Sequence, residues 1–111
     1  MTGKTIPFSA TKLRKIINEY PTPFHIYDEK AIRNNARVMC RAFSWNDGFR
    51  EYFAVKATPN PYIMKILAAE GFGADCSSLP ELILAEKAGL GGENIMFTSN
   101  DTPDCEIMKA A

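Results

Sequence analysis

From residue 51 onward the chain alternates short apolar runs with longer amphipathic ones. "EYFAVKA" (51–57) precedes "PYIMKILAAEG" (61–71), and "FGADC" (72–76) precedes "LPELILAEKAG" (79–89). "NIMFTSN" (94–100) precedes "TPDCEIMKAA" (102–111). The short runs have strand composition, with Phe53 and Val55 on one face and Tyr52 and Ala54 on the other. The long runs carry helix punctuation. Asn60 caps ahead of Pro61, Ser78 and Glu81 have the spacing of a capping box, and Thr102 caps ahead of Pro103. Gly71 and Gly89 stop the first two helices. Strand and helix in strict succession predict βαβ units, hence a parallel sheet covered by helices.

Upstream, "SATKLRKIINEY" (9–20) reads as a helix capped by Ser9, with Leu13, Ile16, Ile17 and Tyr20 on one face. Pro21 and Pro23 end it. Phe24 and Ile26 alternate with His25 and Tyr27 in "PFHIYD", which predicts a short strand. Asp28 caps a helix whose stripe is Ile32, Ala36, Met39, Cys40 and Phe43, and "SWNDG" (44–48) is a turn. A parallel sheet of three strands leaves an open edge and a partly bare face, whereas a closed eight-unit barrel takes about 250 residues. The 111 residues are therefore expected to be the first part of something larger.

Thirteen basic and thirteen acidic side chains leave no net charge, so nothing electrostatic favours nucleic acid or an anionic membrane as a partner. No apolar run approaches the roughly 20 residues of a membrane span. The first fifteen residues lack the apolar segment of a secretory leader. Cys40, Cys76 and Cys105 have no metal-binding spacing, and the chain has one histidine, His25. Reduced thiols in the cytoplasm are the expectation.

Chemistry in parallel α/β folds gathers at the C-terminal strand ends. Lys56 lies there on the first strand, Asp75 on the second, and Asn100 or Asp101 on the third. Neighbouring strands are about 4.8 Å apart, so Lys56 and Asp75 can share a pocket. A neutral lysine amine forms imines, and a nearby carboxylate orients it and stabilises the protonated product. Spacing alone favours a solvated lysine with a surface partner. Alternation turns Cys76 away from that pocket as a packed thiol. His25 is expected to be structural, Gly91-Gly92 a turn, the Met and aromatic stripes core, and Lys12, Arg14 and Lys15 a solvated face.

Four stretches in order add a further signal. "YFAVKATPNP" resembles the cofactor-lysine motif of the fold-type III decarboxylases that use pyridoxal 5′-phosphate, and "GADCSSLPEL" resembles the motif that follows it. "TPFHIYDEKAIRNNAR" is similar to the family's leading segment, and "ENIMFTSNDTP" to its third barrel strand and loop. The likeness covers residues 20 to about 105. It implies an alanine racemase-like (β/α)8 TIM-type barrel, with 29–111 its first, incomplete part. Residues 1–28 would be a helix and strand associated with a separate C-terminal β-domain. It implies that Lys56 forms the internal aldimine with pyridoxal 5′-phosphate and that Asp75 lies beside it.

Within the family the likeness is nearest to the diaminopimelate decarboxylases, which convert meso-diaminopimelate to L-lysine, and it implies an amino-acid substrate and a homodimer. Thr58 stands where the family most often has asparagine, and "SSLPEL" replaces a more glycine-rich version. Both departures bear on substrate more than on cofactor. Decarboxylases of ornithine, lysine or carboxynorspermidine, a non-catalytic barrel relative or remnant, and a class I aldolase are the alternatives. The likeness also calls for a ring-stacking histidine, a phosphate loop, an acidic partner for the ring nitrogen and substrate-binding groups. The 111 residues supply none of these, so by themselves they are expected to be inactive.

Overall fold

Three short parallel strands, β1 (Tyr52–Ala54), β2 (Gly73–Cys76) and β3 (Ile95–Phe97), form a sheet in the order β1-β2-β3. They come from a computed structural model that describes residues 6–111; residues 1–5, where the stretch read as lacking a leader begins, lie outside the described residues. The register pairs Tyr52 with Gly73, Ala54 with Asp75, Asp75 with Met96 and Cys76 with Phe97. Helices α1 (Ala10–Glu19) and α2 (Glu29–Ala42) precede the sheet. Helices α3 (Pro61–Ala68), α4 (Leu79–Lys87) and α5 (Asp104–Ala110) follow its strands in turn. The strand–helix alternation is thus realised as parallel βα units.

Local chemistry sets most boundaries. Ser9 accepts from the Lys12 amide, Asp28 from Ala31 and Asn60 from Tyr62, each satisfying an orphan N–H of the first turn. Gly71 (φ 92°) and Gly89 (φ 87°) end α3 and α4 in the left-handed region, where a side chain is strained.

The sheet buries one face. Val55, Met64, Ala74, Cys76, Leu82 and Ala85 form a core between the strands and helices α3 and α4, with Ile95 and Phe97 packed against it. A second cluster of Ala36, Ile63, Leu67 and Phe72, flanked by Ile32 and Phe53, joins α2 to α3. By strand alternation the other face carries Tyr52, Ala54, Gly73, Asp75, Met96 and Thr98, and among the described residues no helix covers it; Met96 is 45% exposed. Helix α1 buries no residue, and Ile17 and Tyr20 on its apolar face are exposed. The radius of gyration is accordingly 17.1 Å, against about 13 Å for a compact domain of this length. Among the described residues no helix is long and apolar enough to cross a membrane.

Several expectations need correction. The Met and aromatic stripes are core only in part: Met64 is buried, whereas Tyr20, Met39 and Phe43 are exposed. Residues 24–28 are not a strand: alternation is present, but no ladder partner is, among the described residues. β1 stops at Ala54, and Val55–Ala57 form a 3₁₀ turn closed by the Thr58 amide on the Val55 carbonyl at 3.1 Å. Helix α5 is capped at Pro103, one residue later than expected. The capping box at α4 is incomplete. Glu81 accepts from the Ser77 amide (2.9 Å) and the Ser78 hydroxyl (3.1 Å), but Ser78 makes no cap bond of its own.

Helices α2 and α3 are also tied by charge. Arg37 donates to Glu70 at 2.7 Å and Arg33 at 3.0 Å, and the Glu70 side chain is 9% exposed. These bonds, Arg37's first, hold the Glu70 carboxyl below the ordinary carboxylate range against the opposing effect of burial. A carboxylate depressed in the fold contributes its stability above the unfolded value and loses it as pH falls through the folded value. Glu70→Gln is therefore expected to lower the urea midpoint at pH 7, with the difference from the parent shrinking below about pH 4.5. A difference independent of pH would refute this account.

Candidate functional site

Lys56 sits in the 3₁₀ turn immediately after β1, not on the strand itself. The turn is anchored from within. Val55 is fully buried in the core, and the Thr58 and Asn60 backbone bonds lead directly into α3. A rigid support of this kind places a long flexible side chain reproducibly. Lys56 is exposed and, among the described residues, has no ion-pair or hydrogen-bond partner. Its amine is therefore uncommitted, as an amine that bonds a carbonyl compound must be.

Asp75 lies on the neighbouring strand, opposite Ala54 in register and two residues before Lys56 on that count. It is half-buried, and Asp75 Oδ1 accepts from the Thr98 hydroxyl at 2.5 Å. Thr98 was not foreseen as a site residue. The groups expected from the third strand were Asn100 or Asp101, but β3 ends at Phe97 and both fall in the loop beyond it. Asp101 takes a left-handed conformation there (φ 52°). The signal that identifies Thr98 is register. Asp75 pairs with Met96, and alternation returns the same face two residues later.

Cys76 does turn away from this face, as alternation predicted. It is fully buried in the core, and burial, then the charges of Glu81 and Asp75, push its thiol up to about 11. Native protein treated with iodoacetamide near pH 8 should be alkylated at exposed Cys105, with Cys76 reacting only after denaturation. Comparable rates at the two thiols would contradict the packing described. His25 is exposed beside Tyr27, with ring centroids 6.5 Å apart. Among the described residues no cluster of three or more His, Cys, Asp or Glu is placed to hold a metal. Gly91 and Gly92 form the expected turn, at the N-terminal end of β3 and so opposite the Lys56 end of the sheet.

An apolar groove of about 340 Å³ opens between α2 and α3, lined by Ile32, Ala36, Phe53, Ile63, Leu67 and Phe72 among others. No amine or carboxylate lines it, so it offers packing and no chemistry. The site with reactive groups is the C-terminal end of the sheet, where Lys56, Asp75 and Thr98 come from three successive strand ends.

Comparison with known proteins bears on the same region. Residues 29–111 match the family model described as pyridoxal-dependent decarboxylase, pyridoxal binding domain. The chain is 52% identical over 98 residues to Protein TabA of Pseudomonas amygdali pv. tabaci, covering 88% of this chain and 23% of that protein. It is 38% identical over 97 residues to diaminopimelate decarboxylase of Methanothermobacter thermautotrophicus, covering 86% of this chain and 23% of the relative. Among solved structures, diaminopimelate decarboxylase from M. jannaschi superposes with a TM-score of 0.80 at 29% identity, covering 86% of this chain and 23% of that one. The chain thus spans less than a quarter of the length of each of these proteins.

Proposed function

The chain belongs to the pyridoxal-dependent decarboxylases, and on that premise we propose that Lys56 is the residue that binds pyridoxal 5′-phosphate covalently in an amino-acid decarboxylase. One observation carries the reading: an exposed, unpaired lysine amine stands on a turn locked by buried Val55 at the C-terminal sheet end, inside the region that matches the pyridoxal binding domain. The residues present fit the carbonyl end of the cofactor, since they supply a free amine with a carboxylate one strand away.

When bound, the cofactor's ring accepts the electron pair left behind as carbon dioxide departs. Lys56 Nζ would hold the cofactor through its carbonyl carbon, and an Nζ not so engaged would be a base able to hold a proton. A carboxylate at Asp75, on the neighbouring strand end, would favour positive charge on Nζ. Residues 29–111 make up the first part of the barrel. Residues 24–28, without a strand partner among the described residues, are suited to join a separate β-domain. The ring, phosphate and substrate contacts belong to the remaining length of such an enzyme, which works as a cytoplasmic homodimer on this reading.

For the substrate we propose meso-diaminopimelate, with L-lysine as product, supported by the 38% identity to a diaminopimelate decarboxylase.

The test is to incubate the protein with pyridoxal 5′-phosphate, reduce with borohydride and locate the label by peptide mass. The label should fall on Lys56 in preference to the other seven lysines. Equal labelling of the others, or none at Lys56, would overturn the assignment.

A further inference from the structure

We propose that Thr98 is a positioning residue, holding the Asp75 carboxylate in one orientation at the strand end beside Lys56. The inference rests on the reading of Lys56 as the cofactor lysine, and it adds a residue that the motif likeness does not single out.

Two bonds fasten Thr98 to β2. Its amide donates to the Cys76 carbonyl at 2.8 Å, continuing the β2–β3 ladder one residue past β3. Its hydroxyl donates to Asp75 Oδ1 at 2.5 Å. The backbone bond fixes the Cα, and threonine's branched β-carbon restricts χ1, so the hydroxyl has few other places to go. The loop that carries Thr98 is pinned at its far end as well. Glu106 in α5 accepts from the Leu79 amide at 3.1 Å, and Lys109 pairs with Glu86. Both bonds land on α4, the helix that follows β2. The β3–α5 segment is therefore strapped over the β2–α4 unit on both sides of the loop.

The chemistry explains why a hydroxyl is useful there. An aspartate has two freely exchanging oxygens and a rotatable χ1, and half-buried at a strand end it has several places to point. A hydroxyl donor on one oxygen is a charge-assisted bond, stronger than its neutral counterpart. It commits Oδ1 and leaves Oδ2 for a second donor. In the site proposed above, that second donor would be the cation at Lys56 Nζ. Valine in place of Thr98 keeps shape and β-branching and removes the donor alone.

The experiment compares Thr98→Val and Thr98→Ser with the parent, first without cofactor. The Asp75 α–β proton couplings should report one χ1 rotamer in the parent and in Thr98→Ser, and rotamer averaging in Thr98→Val. An unchanged single rotamer in Thr98→Val overturns the inference whether or not Lys56 takes cofactor. The second measurement is the equilibrium for attachment of pyridoxal 5′-phosphate at Lys56. Thr98→Val should weaken it about tenfold, with serine restoring it. Thr98→Val combined with Asp75→Asn should be no weaker than Asp75→Asn alone, because Thr98 acts through Asp75. Additive losses would show an independent structural effect and overturn the proposal. A parent protein that takes no cofactor at Lys56 refutes the reading of Lys56, while the rotamers still decide what Thr98 does.

Discussion

Lys56→Ala is expected to abolish covalent attachment of pyridoxal 5′-phosphate while leaving the fold intact. The side chain is exposed and unpaired among the described residues, so its loss removes no packing and no bond. Exposed substitutions of this kind change stability by about 0.5 kcal/mol or less. Attachment, on the proposed reading, needs a nitrogen nucleophile at this one place on the Val55–Ala57 turn. Lys56→Arg sharpens the test. The guanidinium keeps the charge but cannot be deprotonated in a protein, so it forms no imine. Both variants should give no borohydride-stable label at position 56 and unchanged thermal unfolding. In an enzyme that also contains the remaining site residues, turnover should fall on the order of 10³-fold or more, within the range for loss of a positioned proton-transfer group or above it. Undiminished labelling of the Lys56→Arg protein would place the cofactor on another lysine. A large loss of stability in Lys56→Ala would show that the lysine is structural.

What the sequence disclosed and what it hid divide along the range of the interactions involved. Helix starts were legible because their chemistry is local: Ser9, Asp28 and Asn60 each serve an amide two or three residues away. The parallel sheet was legible too, since strands that alternate with helices have few other ways to pair. Residues 24–28 were misread because alternation records which side chains face an apolar surface and says nothing of whether a ladder partner exists. Composition also hid the turn at Val55–Ala57: a run of Phe, Ala and Val has strand propensity, and the core around Val55 together with the Thr58 bond overrides it. At the start of α4 the Ser78 hydroxyl is spent on the Glu81 carboxylate, and Glu106 takes the Leu79 amide from 27 positions away. Thr98 was missed for the same reason, because its partner is 23 residues distant and only register brings them together. Lys56 is the mixed case. Its position just past a strand end came from periodicity, whereas the cofactor role proposed for it came from the likeness of four ordered motifs and not from spacing.

Gly73→Ala is expected to be the most damaging single-methyl change in the sheet. The reason is steric. A β-carbon at Gly73 would lie 2.4 and 2.5 Å from two ring carbons of Tyr52 and 2.8 Å from the Asn94 carbonyl oxygen. Tyr52 and Gly73 are register partners on the face without helices, and the ring lies across the space that the glycine leaves. The ring is not free to step aside. Its hydroxyl donates to the Glu93 carbonyl at 2.8 Å, and the Arg50 guanidinium stands 5.6 Å from its centroid. The Asn94 oxygen is backbone and yields still less, because the 3₁₀ turn at Gly92–Asn94 leads straight into β3. Overpacking against neighbours that cannot move costs about 1–3 kcal/mol, occasionally more. For a chain of this size each kcal/mol lowers the melting temperature by roughly 4–8 °C. Chemical denaturation of Gly73→Ala should therefore show a clearly reduced midpoint. Adding Tyr52→Ala should recover only part of the loss, since it removes the ring contact and leaves the carbonyl contact in place. An unchanged midpoint for Gly73→Ala would mean that β1 and β2 are not held in the register that brings Ala54, Asp75 and the Lys56 turn together.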